Sequence, residues 1–565
     1  MRARVRFGVV AFVATSFLAF PHVVGGRVVD LGVVMAWLAP ASLLLAIDGQ
    51  TARRAALVGG ISGWLAHAAI LHWIFVVTAV YGRAPTAVGV IAPIGLALYP
   101  AVFVAAVAAV YASLARRGRA GPFVFAAIWV AGDHARHFVF SGFPWGVIGY
   151  AQHGNPWLLG LAPVTGVLGL SFVTALGGAA LAIAVGAARS GISRPHRRML
   201  VAGAGVAAAL GIGAFSQALA PPFRGGSLRV GVLQGNVDQG MKWSPEFADT
   251  TMRTYEDLAR RAVAQGARLV VWPETAVPGS VETEPGFGPR LSALAIEIGV
   301  PMVVGAVGVE PARDDWRFFD SGYVFDAQGR RLDRYDKAHL VPFGEYLPWR
   351  PMLGRFLRAV ATGIARDDVT AGPGARSVLL PLDPDGGGPP AGSDAIARGG
   401  AERIVRAGIP ICYELLFPDL MRGFAGDGGE LLLAITNDAW YGRTGAPYQF
   451  LAITELRSAE SRLWTARAAN TGVSAFIDER GRTVAATEIF EEAVLVHDVP
   501  LRGPDAPSTF YVRHGDVFAW LCWLGVVVAL VASRRLPRGG EREAVSDEER
   551  PGVPVAGRPP PHLSS

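Results

Sequence analysis

The distribution of apolar residues constrains the fold of this chain more than any other feature of its sequence. Apolar segments fill most of the chain before residue 220, and a further one, "VFAWLCWLGVVVALVA", lies close to the C-terminus. Most of them reach the roughly 20 residues that a helix needs to cross a bilayer. The sequence therefore predicts a multi-pass α-helical membrane bundle of eight transmembrane helices, at 7–25, 31–47, 55–80, 86–113, 122–140, 159–187, 199–219 and 517–533.

Arginines mark one side of this bundle. Cytoplasmic loops of membrane proteins carry an excess of Lys and Arg. The alternate loops of the other side hold only scattered arginines, at Arg27, Arg83 and Arg136. We therefore expect a membrane protein with both termini in the cytoplasm and residues 220–505 outside it. The arginines of the expected cytoplasmic side are Arg2, Arg4, Arg6, Arg53, Arg54, Arg116, Arg117, Arg119, Arg189, Arg194, Arg197, Arg198, Arg534, Arg535 and Arg538.

The same charge distribution argues against nucleic acid as a partner. The net charge is +6, but the arginines cluster at the ends of apolar segments and no basic patch is interleaved with aromatic residues. Only 17% of the residues are charged, against about 25% in a typical soluble protein. Membrane topology explains the positive charge better than nucleic-acid binding does.

Residues 220–505 have the pattern of a globular α/β domain. Buried-strand patterns such as "LRVGVLQGN" and "ELLLAITND" alternate with amphipathic helix patterns such as "TTMRTYEDLARRAVAQGA", and we expect a further helix at 449–469. The chain thus divides into a membrane bundle at 1–219, this extracytoplasmic domain, the eighth helix and a tail at 536–565. The composition of the tail predicts disorder, and that of 383–400 a flexible insertion.

Ionisable or nucleophilic residues follow three strand patterns of this domain. Glu274 ends "VVWPE", Lys337 and Glu345 lie in "DKAHLVPFGEYLP", and Cys412 lies in "GIPICYELLFPD". Taken singly, each has a plain structural explanation: a cap, a surface lysine, a packing residue. Cys412 and Cys522 are the only cysteines, and Cys522 lies in an apolar segment, so we expect neither a disulfide nor a zinc site, and no metal or cofactor.

Taken together, Glu, Lys and Cys in this order and context resemble the nitrilase (carbon–nitrogen hydrolase) superfamily. With the membrane segments around them, the chain resembles the apolipoprotein N-acyltransferase family. The resemblance implies an α-β-β-α sandwich standing on the membrane bundle, in the inner membrane of a bacterium. The stretches that carry it are "SGFPWGVIGYAQ", "LQGNVDQGMKW", "PFGEYLP", "CYELLFPDLMR", "TNDAWYG" and "ARAANTGVSAFID".

The resemblance implies roles for the three residues. Cys412 is the nucleophile, Glu274 the general base, and Lys337 stabilises the thiolate and then the oxyanion. We expect a raised pKa for Glu274, because a dry pocket disfavours the charged carboxylate. Supporting residues are Glu345, which orients Lys337, together with Glu414 and Tyr413.

The remaining candidate site residues each have two possible roles. Trp243, Trp440 and Tyr441 match aromatic residues near the family's site and are candidates for substrate binding, but they could equally be core packing. The stretch 349–364 mixes apolar and basic residues, so it is either an arm that dips into the bilayer or a helix that covers the domain.

The reaction implied is a two-step acyl transfer. A membrane phospholipid donates an acyl chain to Cys412, and the N-terminal amine of a diacylglyceryl-apolipoprotein then takes it from the thioester. We expect a monomer in contact with the lipid bilayer. The rivals are a membrane-tethered amidase or nitrilase that hydrolyses a small amide, and a transporter or receptor with an inactive outer domain. The intact Glu274, Lys337 and Cys412 argue against the latter.

Overall fold

A computed structural model describes residues 2–189, 197–220, 223–242, 244–312, 316–350, 368–382 and 403–534 of the chain. The predicted insertion at 383–400, the tail at 536–565, Trp243 and most of the predicted arm at 349–364 lie outside the described residues. These predictions therefore stay predictions.

Helices occupy every segment that the sequence assigned to the membrane. Between the first two, a short hairpin pairs β1 (His22–Val24) with β2 (Arg27–Val29). The helices are α1 (Arg2–Leu18), α2 (Gly32–Ile47), α3 (Ala52–Ile70), α4 (Thr86–Leu96), α5 (Leu98–Ala115), α6 (Pro122–Ala135), α7 (Pro156–Leu159), α8 (Ala162–Arg189) and α9 (Arg197–Ala218).

Four helices among the described residues are both long and apolar enough to cross a membrane. They are Thr86–Ala115, which joins α4 and α5, then Ala162–Ala188, Arg197–Ala218 and Val517–Arg534. The other predicted segments form helices that are shorter or less apolar. The described part of the chain thus has several apolar helices, four of them of membrane-spanning length.

Two predicted segments are interrupted. The segment 55–80 is helical only to Ile70 and continues after a turn as a π-helical turn, Val76–Tyr81. The segment 159–187 begins with α7 and contains a break at Gly166, whose φ of +62° favours glycine. Apolar periodicity does not reveal such breaks, because the broken and continuous helices carry the same apolar residues.

The domain after the bundle contains two six-stranded sheets. The first has the order β14-β3-β4-β5-β6-β7 and the second β13-β12-β11-β10-β9-β8. The strands are β3 (Ser227–Gln234), β4 (Leu269–Val271), β5 (Met302–Pro311), β6 (Trp316–Phe325), β7 (Arg331–Asp336), β8 (Val378–Leu382), β9 (Arg403–Gly408), β10 (Leu431–Thr436), β11 (Thr465–Ala469), β12 (Ala475–Ile477), β13 (Thr483–Ala486) and β14 (Ala493–Pro500).

Alternation along the strands of the first sheet divides its side chains between two apolar clusters. Leu233 and Val270 pack with helices α10 (Pro245–Ala264) and α11 (Phe287–Ile298). Their neighbours Val232 and Val271 belong instead to the cluster that includes the strands of the second sheet. Successive strand residues point to opposite faces, so the first sheet lies between its helices and the second sheet.

The prediction of a helix at 449–469 is wrong in part. The segment 449–469, predicted as one helix, is helical only in α13 (Ala446–Ser461), which follows α12 (Pro418–Gly426). Arg462 takes a left-handed conformation and ends the helix, and Thr465–Ala469 forms strand β11 between β10 and β12. Every residue of β11 is buried, so pairing within the sheet overrides the helix propensity of its alanines.

Helix α13 carries much of the contact between the domain and the bundle. Glu460 accepts a hydrogen bond from the backbone N–H of Val167 at 2.8 Å, and Gln449 accepts one from the Trp145 indole at 2.7 Å. After the domain, α14 (Phe510–His514) leads into α15 (Val517–Arg534). These buried polar contacts fix the sheets on the membrane helices.

Candidate active site

Glu274 stands at the carboxyl end of β4. It is 6% exposed, and the next residue, Thr275, has a φ of +47°. Such a conformation is strained for a β-branched residue. The Glu274 Oε1 accepts a hydrogen bond from the Lys337 ammonium at 3.1 Å. A tight turn thus delivers a buried carboxylate to a buried cation.

Lys337 follows β7 and is fully buried. Its ammonium donates to Glu345 Oε1 at 2.5 Å and to Asp320 Oδ2 at 3.3 Å, in addition to Glu274. Its backbone N–H donates to the Asp320 carbonyl at 2.9 Å. Burial opposes the positive charge, but the three carboxylates raise the pKa of Lys337 well above its usual value. Lys337 is therefore a fixed positive charge at the centre of the site.

Cys412 occupies a sharp turn beyond β9. It begins the short helical turn Cys412–Leu416, is 8% exposed and has a φ of +45°. Strained backbone of this kind is concentrated at functional sites. Burial and the Glu274 charge raise the pKa of the thiol well above its usual value, and Lys337 only partly opposes them. At rest Cys412 is a thiol, so attack requires a base.

The charge state of Glu274 corrects one expectation. Burial alone raises the pKa of this carboxyl, as the sequence suggested. The charges of Lys337 and Lys242 and a hydrogen bond with Asp320 more than offset burial and hold the pKa below its usual range. The expectation of a raised pKa is wrong, because it ignored the two ammonium groups. Glu274 is thus ionised and able to accept a proton.

Glu414 joins the loop of Lys337 to the turn of Cys412. Its Oε1 accepts hydrogen bonds from the Ala338 N–H at 2.7 Å and the Tyr335 hydroxyl at 2.8 Å. Its Oε2 accepts one from the Ile411 N–H at 2.8 Å. The fully buried carboxylate therefore bridges the residue after the lysine and the residue before the cysteine.

Glu345 and Tyr413 complete the surroundings. Glu345 Oε2 accepts a hydrogen bond from the Val341 N–H at 2.8 Å while Oε1 holds Lys337. The Tyr413 hydroxyl donates to the Gly142 carbonyl at 3.4 Å. The loop of the bundle that contains "SGFPWGVIGYAQ" therefore contacts the turn of the cysteine.

The aromatic candidates lie in different surroundings. Tyr441 packs edge-on against Trp73 of the bundle, with ring centroids 4.9 Å apart, and against Trp145 at 5.9 Å. Trp440 is 37% exposed and packs edge-on against Tyr81 at 6.1 Å. Both residues connect the domain to the membrane helices, and Trp440 presents open surface.

The structure adds two residues that sequence reasoning missed, Asp320 and Lys242. Asp320, on β6, is buried, and burial together with the Glu274 charge raises its pKa well above its usual value. Nothing in the strand pattern distinguishes it. Lys242 donates to the Glu274 carbonyl at 3.2 Å and to Thr275 Oγ1 at 2.6 Å. A signal for it was present: the chain has only two lysines, Lys242 and Lys337.

Three of these carboxylates also have the spacing of a metal site. Oxygens of Glu274, Asp320 and Glu345 lie within 4.8 Å of one another. Oxygen ligands at such spacing suit a hard divalent cation. Here the Lys337 ammonium contacts an oxygen of each carboxylate, so a side chain takes the central cationic position.

Two family models match separate parts of this chain. The carbon-nitrogen hydrolase family matches residues 229–503, and the apolipoprotein N-acyltransferase N-terminal domain matches residues 14–180. A solved amidase from Nesterenkonia sp. is 19% identical, with 53% of this chain and 97% of that chain covered and a TM-score of 0.35.

Curated relatives resemble the chain over both parts. An apolipoprotein N-acyltransferase of Geobacter metallireducens is 37% identical, with 89% of this chain and 91% of that protein covered. One of Methylococcus capsulatus is 34% identical, with 73% and 74% covered. The chain therefore belongs to the apolipoprotein N-acyltransferase family and is an acyltransferase with a carbon–nitrogen hydrolase domain.

Proposed function

We propose that Cys412, Glu274 and Lys337 transfer an acyl chain from a membrane phospholipid to the N-terminal amine of a diacylglyceryl-cysteine lipoprotein, the last step of lipoprotein maturation. One observation carries this assignment: the side chains of Cys412, Glu274 and Lys337 are buried in one cluster, in which the Lys337 ammonium lies 3.1 Å from the Glu274 carboxylate. That combination supplies a nucleophile, its base and a site for negative charge.

In the first step the Cys412 sulfur attacks the ester carbonyl carbon of the phospholipid. Glu274 takes the thiol proton as the C–S bond forms. The Lys337 ammonium, with the backbone N–H that follows Cys412, stabilises the oxyanion. The ester C–O bond then breaks, and the leaving alkoxide takes the proton from Glu274 and departs as lysophospholipid.

In the second step the lipoprotein amine attacks the thioester carbon. Glu274 accepts a proton from the attacking nitrogen, and Lys337 again stabilises the oxyanion. The C–S bond breaks, the sulfur recovers a proton from Glu274, and the amide product leaves. The base thus serves both half-reactions without any other co-reactant.

The apolar helices favour the hypothesis that both substrates are lipids. Removing an acyl chain from a bilayer costs about 0.8 kcal/mol per CH₂ group, so both lipids react most readily while still embedded. We propose that an α-β-β-α sandwich stands on eight spans, with the domain outside the cytoplasm and both termini inside it. The alternation of arginine-rich loops supports this orientation.

The positions of the supporting residues favour roles in the same reaction. Glu345 orients Lys337, and Glu414 sets its distance from Cys412. Trp440, and Tyr441 beside it, supply aromatic surface toward the membrane helices for acyl chains. Trp243 and the segment 349–364 remain candidates for substrate contact and for an arm at the bilayer surface.

A label-transfer assay separates this function from that of a membrane-tethered amidase. Phospholipid carrying a labelled acyl chain is incubated with the purified enzyme and a diacylglyceryl lipopeptide. We expect label in the amide-linked product, and none with Cys412→Ser. Hydrolysis of a small amide without any transfer to the lipopeptide would refute the proposal. The match of the N-terminal domain at 14–180 favours transfer.

A further inference from the structure

The scarcity of lysine singles out Lys242. Lys and Arg together number 52, and all but two of them are arginine. Both lysines are at least 99% buried and lie in the same cluster. Elsewhere this chain uses arginine as its cation, so an ammonium at both positions calls for a reason specific to lysine.

The contacts of Lys242 fix the backbone that carries the base. Its ammonium donates to the carbonyl of Glu274 and to the hydroxyl of Thr275, the residue with the strained φ of +47°. On another side of this turn, the backbone N–H of Val277 donates to the Gly305 carbonyl of β5 at 3.1 Å. The turn is therefore held between a strand and the second lysine.

The charges around Lys242 explain why an ammonium is needed. The groups that face it are Glu274, Asp320 and Cys412, with Lys337 in the same cluster. Burial lowers the pKa of Lys242 to about 8, against the pull of these acidic groups, so it is mostly charged at neutral pH. The charges of the carboxyl groups and of the two lysines sum to zero when one of the three carboxyl groups is protonated. The carboxyl groups are those of Glu274, Asp320 and Glu345. A guanidinium is larger, planar and always charged, so it does not substitute for a compact ammonium there.

We propose that Lys242 is a positioning residue for the base: its ammonium holds the turn of Glu274 and Thr275 and supplies the second positive charge that keeps the Glu274 carboxylate ionised. This inference rests on the proposed function, in which Glu274 must be ionised when Cys412 attacks. Removing the Lys242 charge therefore makes Glu274 easier to protonate, and acylation then fails at a higher pH than in the wild type.

The pH profile of acylation tests the role of Lys242. Full-length enzyme in detergent is mixed with phosphatidylethanolamine and phosphatidylglycerol, and the rate of acyl-Cys412 formation is followed by mass spectrometry across pH. For Lys242→Met we expect the acidic limb of the profile to move up by about one pH unit. On the acidic limb we expect a rate loss of about 10-fold, because one pH unit corresponds to a tenfold change, and we expect the rate to recover toward neutral pH.

Controls separate this role from a structural one. Lys242→Gln lacks the charge but keeps a donor for the Glu274 carbonyl, so it shows the same shift even where Lys242→Met does not fold. Arg253→Met removes an exposed cation from α10 and leaves the profile unchanged. A rate lowered equally at every pH, or an unshifted acidic limb in both Lys242 variants, overturns the inference. Failure of the wild type to form any adduct instead refutes the proposed function.

Discussion

The Lys337 ammonium lies 2.5 Å from Oε1 of Glu345, while Oε2 of the same carboxylate accepts the N–H of Val341. One carboxylate therefore fixes both the lysine and the loop that follows it. Burial raises the pKa of Glu345, against the opposing charge of Lys337. Glu345 therefore sets both the position of the Lys337 ammonium and part of the charge that surrounds it.

Glu345→Gln should slow acylation of Cys412. The amide replaces one of the two carboxylate oxygens with an NH₂ donor, so either Lys337 or Val341 loses its acceptor and Lys337 shifts away from the oxyanion. A misplacement of about 1 Å can cost roughly 100-fold in rate. Time-resolved mass spectrometry of the acyl adduct measures the effect. The matched control is Glu297→Gln, an exposed carboxylate paired with Arg260; equal rates for both variants would contradict this role for Glu345.

Asp320 should tolerate asparagine far better than alanine. Its raised pKa means that it holds a proton, and asparagine keeps a neutral donor for Glu274 and an acceptor for Lys337. Alanine leaves Lys337 short of a partner, and truncating such buried polar contacts costs about 1–3 kcal/mol. We expect acylation near the wild-type rate for Asp320→Asn and a clear loss for Asp320→Ala. Equal losses in both would show that the charge of Asp320, and not its proton, is what matters.

Glu414 should make stability depend on pH. Burial raises its pKa from 4.5 to about 7, although backbone N–H groups and the Tyr335 hydroxyl donate to it. A carboxyl with a raised pKa in the folded state binds more protons than when unfolded, so its contribution to stability falls as pH rises from 4.5 through about 7. Thermal midpoints of the wild type and Glu414→Gln across this range test it. The variant is less stable at low pH, and the gap narrows as pH rises; a gap that stays constant with pH contradicts the assignment.

His153 should stabilise the contact between domain and bundle. Its Nδ1 lies 2.5 Å from Glu455 on α13 and its Nε2 2.7 Å from Asp30 after the β1–β2 hairpin. Burial lowers its pKa, but the two carboxylates more than offset this and raise it from 6.5 to about 10. The stability that the charged His153 contributes to the folded protein is complete below a pH of about 6.5 and is lost as the pH rises through about 10.

His153→Gln is the matching variant. We expect it to cost about 2 kcal/mol at low pH, the order of a hydrogen bond to a charged group, and the difference from the wild type to shrink at alkaline pH. Thermal midpoints in detergent measure both values. A pH-independent difference would mean that His153 acts by packing alone.

Much of the fold was predictable because its signals are local. Apolar length predicted where helices lie before residue 220 and at 517–533, and buried-strand patterns predicted β3 and β10. The helix predicted at 449–469 failed beyond Ser461, since "TARAA" owes its strand conformation to neighbours in the sheet. Local propensity contains no information about such neighbours.

In the site, too, residues in local motifs were predictable, and residues that depend on the fold were not. The motifs brought Glu274, Lys337 and Cys412 forward, and the structure places all three in one cluster. Asp320 gave no signal, because its importance comes from the strand that lies beside Lys337. The pKa of Glu274 was mispredicted because burial can be inferred from a run of valines, whereas the direct contact with Lys337 and the presence of Lys242 cannot.

The acyl adduct on Cys412 tests the central claim most directly. Purified enzyme is mixed with phospholipid, and its intact mass and its Cys412 peptide are measured before and after a diacylglyceryl lipopeptide is added. We predict one acyl chain on Cys412, its loss when the lipopeptide arrives, and no adduct with Cys412→Ser. An enzyme that acylates the lipopeptide while Cys412 stays unmodified throughout, or with serine in its place, would contradict the thioester account.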